Sequence, residues 1–140
     1  MKKLFSSCLL LLVFHYCEAQ KLEIKYYPTF HLNGRSVIMC NGDTCILQLD
    51  VFERRDTSRI WWSETKVVSA KYRNDIRRMF ETANQLTSTE PNCFDGMLVI
   101  GVFESDTSYH KFVCNCPFED LHRDFVKQTI KTIQKVLSNM

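Results

Sequence analysis

The chain has 140 residues, 45% of them hydrophobic, with 18 Lys and Arg set against 16 Asp and Glu. A balance this near neutrality makes no electrostatic case for a nucleic-acid partner, and no basic stripe interleaved with aromatics occurs. The length is enough for one domain with a real core.

Residues 1–19 read as a signal peptide. Lys2 and Lys3 make a charged start, and Leu4 to Tyr16 is an apolar run of h-region length, too short for an ordinary transmembrane helix. Cys17 and Ala19 put small residues at the −3 and −1 positions, so cleavage is expected after Ala19, leaving Gln20 first and able to cyclise. The alternative is an uncleaved anchor, for which the apolar run is short. Tyr16 before Cys17 does not supply the small residue of a lipoprotein site. The leader is bacterial in style, and the chain has no Asn-x-Ser/Thr sequon. Residues 20–140 are expected to form a single domain, secreted or periplasmic, with no transmembrane segment after signal cleavage.

Lys21 to Tyr27 alternates Leu22, Ile24 and Tyr26 with Lys21, Glu23 and Lys25, the pattern of a half-buried strand that Pro28 ends. Asn33-Gly34 is a turn signal. Ser36 to Cys40 and Cys45 to Glu53 are hairpin arms. If Gly42-Asp43 is their turn, Cys40 stands directly opposite Cys45 at a separation a disulfide can span; if Asn41-Gly42 is, the two are out of register. Ser58 to Ser63, carrying Ile60, Trp61 and Trp62, predicts a fourth strand. Adjacent strand residues face opposite ways, so both tryptophans cannot enter one core.

Val68, Tyr72, Ile76, Met79, Ala83 and Leu86 follow helical spacing, firmly so from Asn74, while Val67 and Val68 suit a strand as well. The polar loop 87–92 ends this helix. Met97 to Phe103 is apolar at every position but Gly101, which predicts a strand buried on both faces in the middle of the sheet. A hairpin follows; with Ser105-Asp106 at its tip, Glu104 faces Thr107 and Met97 faces Cys114. Pro117, Glu119 and Asp120 suit a helix start. Leu121, Phe125, Val126, Ile130, Ile133 and Leu137 then form the apolar stripe of a helix that lids one sheet face. The predicted fold is α+β: an antiparallel sheet of five to six strands in the order β-β-β-β-α-β-β-α, packed by two helices and stapled by disulfides.

Five cysteines remain once Cys8 and Cys17 leave with the leader, and export permits disulfides. Cys40–Cys45 is one expected bridge. Cys93 to Cys116, clamping the open end of the second hairpin, is the other, with Cys114 the next choice of partner; one cysteine is left over. Cys93, Cys114, Cys116 and His110 have poor spacing for zinc, and the disulfide reading is preferred. Cys116 before a helix with His122 nearby suggests a thiolate and its base, but Glu119 and Asp120 in the same turn oppose a lowered thiol pKa. His31 and His110 read as loop and strand-surface residues. Asp95 and the Glu104/Asp106 tip lie at opposite ends of the hairpin, about 25 Å apart on strand rise, and cannot share a cleft. No nucleotide loop, serine elbow or HExxH is present.

Trp61 and Trp62 with Arg54, Arg55 and Arg59 form the best candidate for an interaction surface, because aromatic and Arg side chains dominate binding hot spots; the alternative is burial of both tryptophans between sheet and helix. The expected function is non-catalytic binding, inhibitor- or immunity-like, to a protein or envelope component, without cofactor or metal. The rival is a small exported thiol enzyme using Cys114 or Cys116.

Overall fold

A computed structural model describes residues 18–28, 33–53, 56–88, 97–115 and 120–138. Six strands, β1 (Ala19–Pro28), β2 (Gly34–Asn41), β3 (Thr44–Glu53), β4 (Asp56–Val67), β5 (Met97–Ser105) and β6 (Tyr109–Asn115), accompany two helices, α1 (Arg73–Ala83) and α2 (Asp120–Ser138). The strands form one antiparallel sheet in the spatial order β4-β3-β2-β1-β5-β6, so the α+β fold expected from the sequence is the one present.

Side-chain alternation gives the sheet two unlike faces. Leu22, Ile24, Ile38, Leu47, Val99, Phe103 and Phe112 point to the face that both helices cover, and they share one core with Ile76, Met79 and Phe80 of α1 and Phe125 and Val126 of α2. Phe80 meets Phe103 at 5.7 Å between centroids, and Phe125 meets Phe112 edge-on at 5.4 Å. All six residues of the predicted α1 stripe, Val68 to Leu86, are buried. The opposite face has no helix over it among the described residues. Lys21, Glu23 and Lys25 run along its middle, linked to each other and to Glu104 by ion pairs of 3.4–3.5 Å.

The expectation that Met97 to Phe103 is covered on both sides is therefore corrected. Val99, Gly101 and Phe103 are buried beneath the helices, but Leu98, Ile100 and Val102 lie on the helix-free face and are half-buried. Their shelter comes from cross-strand neighbours: Tyr27, Lys25 and Glu23 on β1, and Asn115, Val113 and Lys111 on β6. The stems of long charged side chains cover apolar surface without a further layer being needed.

The β2–β3 hairpin turns at Gly42-Asp43, with Gly42 at φ 57°, a conformation glycine adopts without strain. Cys40 stands opposite Cys45, and the two are disulfide-bonded with Cα atoms 4.1 Å apart. The β5–β6 register differs by two residues from the expected one: Glu104 faces Tyr109 and Val99 faces Cys114. Ser105 N–H donates to the Ser108 carbonyl at 2.7 Å, so Asp106 and Thr107 form the tip. The shift leaves Cys116 further along towards Cys93 than Cys114, the basis on which it is the first choice of partner; Cys93 and Cys116 themselves lie outside the described residues.

β4 runs past the predicted Ser63 to Val67, and Val68 N–H still bonds to the Cys45 carbonyl at 2.8 Å. The predicted stripe of α2 is also corrected. His122, Phe125, Val126, Thr129 and Thr132 are buried, while Leu121 is 51% and Ile130 40% exposed. On the helical wheel His122 and Thr129 fall at the centre of the buried arc, and Leu121 and Ile130 fall on its two flanks. Segment 86–88, which follows α1, is held on both sides. His122 Nε2–H donates to the Thr87 carbonyl at 2.6 Å, His110 bonds the Leu86 carbonyl, and Val113 N–H of β6 donates to Ser88 Oγ at 3.0 Å.

Candidate functional site

Trp61 and Trp62 are both exposed, at 68% and 42%, and neither is enclosed between sheet and helix. The cause is a β-bulge at the sheet edge: Val51 pairs with Trp62 and Phe52 with Ile60, so Trp61 is the extra residue. Arg59 is solvent-exposed and makes a 3.9 Å ion pair with Glu53. Arg54 and Arg55 lie outside the described residues, as do His31 and Asp95.

Trp62 also forms one wall of a cleft on the helix-covered face, and the local sequence explains why the cleft exists. Across the sheet at this level the facing residues are Cys114, Val99, Tyr26, Gly34, Val51 and Trp62. Gly34 contributes no side chain, and in the next row Ser36 stands where its neighbours are Ile24 and Leu49. The surface therefore dips between Tyr26 and Val51. Ile130, Ile133 and Gln134 of α2 rise along the other side, Met97 adds to the lining, and about 330 Å³ is left open.

Apart from Gln134 on the α2 side, the polar side chains that the described lining residues present are two hydroxyls. Ser36, fully buried, and the half-buried Tyr26 place their hydroxyl oxygens 3.4 Å apart. Burial pushes the Tyr26 phenol up to about 12, with the Ser36 hydrogen bond pulling the other way, so it is neutral near neutral pH. Arg35 and Asp50 border the cleft through their backbone, while their side chains alternate to the opposite face. There Asp50 is fully buried. It accepts from Arg35 Nε at 2.8 Å and Nη2 at 2.6 Å, from Ser63 Oγ at 2.6 Å, and from Gln48 Nε2 at 3.2 Å. Desolvation by itself would raise the Asp50 pKa. The Ser63, Arg35 and Gln48 hydrogen bonds and the Arg35 charge outweigh it and hold the carboxyl below the usual carboxylate range.

The thiol constellation is not assembled among the described residues. Cys114 is fully buried opposite Val99, and His122 is buried with Nε2 committed to the Thr87 carbonyl. His110, expected on the strand surface, faces the helix side beside Phe103 and holds Leu86. Glu104 sits on the helix-free face with Lys21, and Asp106 is at the exposed hairpin tip. Among the described residues no group of three or more His, Cys, Asp or Glu could hold a metal ion, and no helix is long and apolar enough to cross a membrane.

A larger depression of about 630 Å³ lies at the opposite end of the sheet, beside the Cys40–Cys45 hairpin. Two of its wall residues, Ala19 and Gln20, flank the expected cleavage point, and none of its described lining residues is aromatic. The Trp62 cleft is the better-built site. Tyr26, Gly34 and Ser36 carry only strand and turn readings in the sequence, not a site; the available signal is the pair of small residues at 34 and 36, two apart on an otherwise bulky strand face. Compared with protein-family models, curated proteins and solved structures, the chain matches no family, relative or fold neighbour.

Proposed function

We propose that this is a non-catalytic binding protein, exported to the envelope or exterior of a bacterium and inhibitor- or immunity-like in role, which engages its partner at Trp62 and the cleft behind it. The observation that carries the reading is the placement of Trp62: a large aromatic, 42% exposed, forming the wall of a preformed apolar cleft. Indole surface left in water is costly in an ordinary fold and gains most when a partner covers it. Trp61 and Arg59 on the same strand extend the surface.

The test is capture from the native exported fraction with wild-type protein, Trp62→Ala, and Lys111→Ala on the helix-free face as a remote control. A specific partner held by wild type and Lys111→Ala but lost by folded Trp62→Ala supports the reading. Equal capture by all three overturns it. Iodoacetamide labelling of the oxidised protein checks the rival. Full burial of Cys114 leads to slow or absent labelling there, whereas a single cysteine reacting unusually fast near neutral pH would point to thiol chemistry.

A further inference from the structure

We infer, building on the reading that the Trp62 cleft is the binding site, that it takes a small neutral molecule: a ring-bearing apolar body of about two fused rings with one hydroxyl at its inner end. Three features of the cleft select this class.

The first is size and wall chemistry. About 330 Å³ lies at the low end of small-molecule sites, which are mostly apolar with a few placed polar groups. The indole of Trp62 offers a flat aromatic wall, and Leu49, Val51, Met97, Ile130 and Ile133 offer aliphatic ones. Rings pack against such surfaces with little entropy to lose.

The second is the hydroxyl pair. Tyr26 and Ser36 stand 3.4 Å apart, long for an O–H···O bond, whose usual range is about 2.5–3.0 Å. Each hydroxyl can donate one bond and accept others, so a contact this long leaves bonding capacity unused at a buried position. A ligand hydroxyl placed between them can accept from one and donate to the other. Hydrogen-bond capacity already held out of water is a strong selector, because a ligand lacking the matching group leaves it unspent.

The third is the absence of a charged side chain facing the cleft among its described lining residues. Arg35 and Asp50, the charged residues that border the cleft, turn their side chains to the opposite face and neutralise each other there. Gln134 is uncharged. An anion or cation in the cleft would lose its hydration with no counter-charge to replace it.

Three probes of one shape separate the possibilities by isothermal calorimetry: 2-naphthol, naphthalene and 2-naphthoate. The naphthol is expected to bind about tenfold more tightly than naphthalene, the effect of one or two neutral hydrogen bonds, and also more tightly than the naphthoate. Tyr26→Phe and Ser36→Ala, both nearly isosteric, should each move naphthol affinity towards that of naphthalene and leave naphthalene unchanged. Trp62→Ala should weaken all binding, and Trp61→Ala should not. Equal affinity for naphthol and naphthalene, or tighter binding of the naphthoate, overturns the inference while leaving the cleft a binding site. No binding of any probe, together with Trp62-dependent capture of a partner, overturns the inference and keeps the proposed function. No binding and no Trp62-dependent capture overturn both.

Discussion

The ring of Phe112 lies across Gly101. The two are directly paired on β5 and β6, and a Cβ added at 101 would overlap the Cζ and both Cε atoms of the ring. The one position between Met97 and Phe103 without a bulky apolar side chain is therefore the seat of an aromatic ring, which then meets Phe125 of α2 edge-on. Glycine here serves close approach, not backbone bending.

Gly101→Ala should accordingly destabilise the protein by about 1–3 kcal/mol, the range for overpacking a core. Urea unfolding would show a lower midpoint with an unchanged slope. Combining it with Phe112→Leu should cost less than the sum of the two single changes, since the first clash is relieved. Strict additivity would show that the ring does not rest on residue 101.

Asp50 makes a prediction about acid. Its pKa is depressed in the folded state, so its contribution is fully present above the ordinary Asp value of about 3.9 and is lost as pH falls through the lower folded value. Asp50→Asn keeps the shape but leaves Arg35 without its carboxylate. Arg35 is 27% exposed, so the cost at neutral pH should be about 2–3 kcal/mol, below the 3–5 of a wholly buried pair. Chemical unfolding from neutral pH down through the acid range should also show a shallower fall for the variant. Parallel curves for the two proteins would contradict the assignment.

The Cys40–Cys45 bridge closes a short loop, with a sequence separation of 5, and on chain entropy should contribute about 2 kcal/mol. The double variant Cys40→Ala, Cys45→Ala measures this by thermal or urea unfolding. Peptide mapping without reduction should recover the two cysteines in one linked fragment. Finding both alkylated without reduction would show that the bridge is not formed in the native protein.

Cleavage after Ala19 is predicted to leave the fold intact. In the sheet ladder Ala19 pairs with Asn41 alone, besides a long N–H bond of 3.4 Å to Asp106 at the hairpin tip, whereas Gln20 to Tyr26 pair with both β2 and β5. If the chain is exported as proposed, intact mass and N-terminal analysis of the native protein should find a chain starting at Gln20, cyclised with loss of ammonia. A chain of this length should match the full-length protein in unfolding midpoint; a marked loss would mean that residues before Gln20 carry stability.

How much of this was readable beforehand follows from which signals are local. Leu22, Ile24 and Tyr26 declare their face by alternation, Val68 to Leu86 by helical spacing, and Cys40 with Cys45 by the four turn-forming residues between them. The β5–β6 register was misplaced by two because a shift of two leaves every side chain on its own face; alternation cannot detect it. The rotation of α2 was misjudged because Thr129 and Thr132 are buried while Leu121 and Ile130 flank the arc, and because His122 is paired with a backbone carbonyl 35 residues earlier in the chain. The cleft was the least visible feature. It arises where Gly34 and Ser36 come under Ile133, nearly a hundred residues away in sequence, and no local pattern records that meeting.

The two margins of the sheet are not equivalent. On β6 the N–H of Val113 is taken by Ser88, and His110 fastens the neighbouring segment; on β4 no described strand lies outside the Trp62 bulge. Among the described residues the β4 margin is the one without such bonds, and it is the direction in which a strand could be added. Two copies joined there would each use up their open side, so self-association at high concentration should stop at a closed pair instead of propagating into filaments.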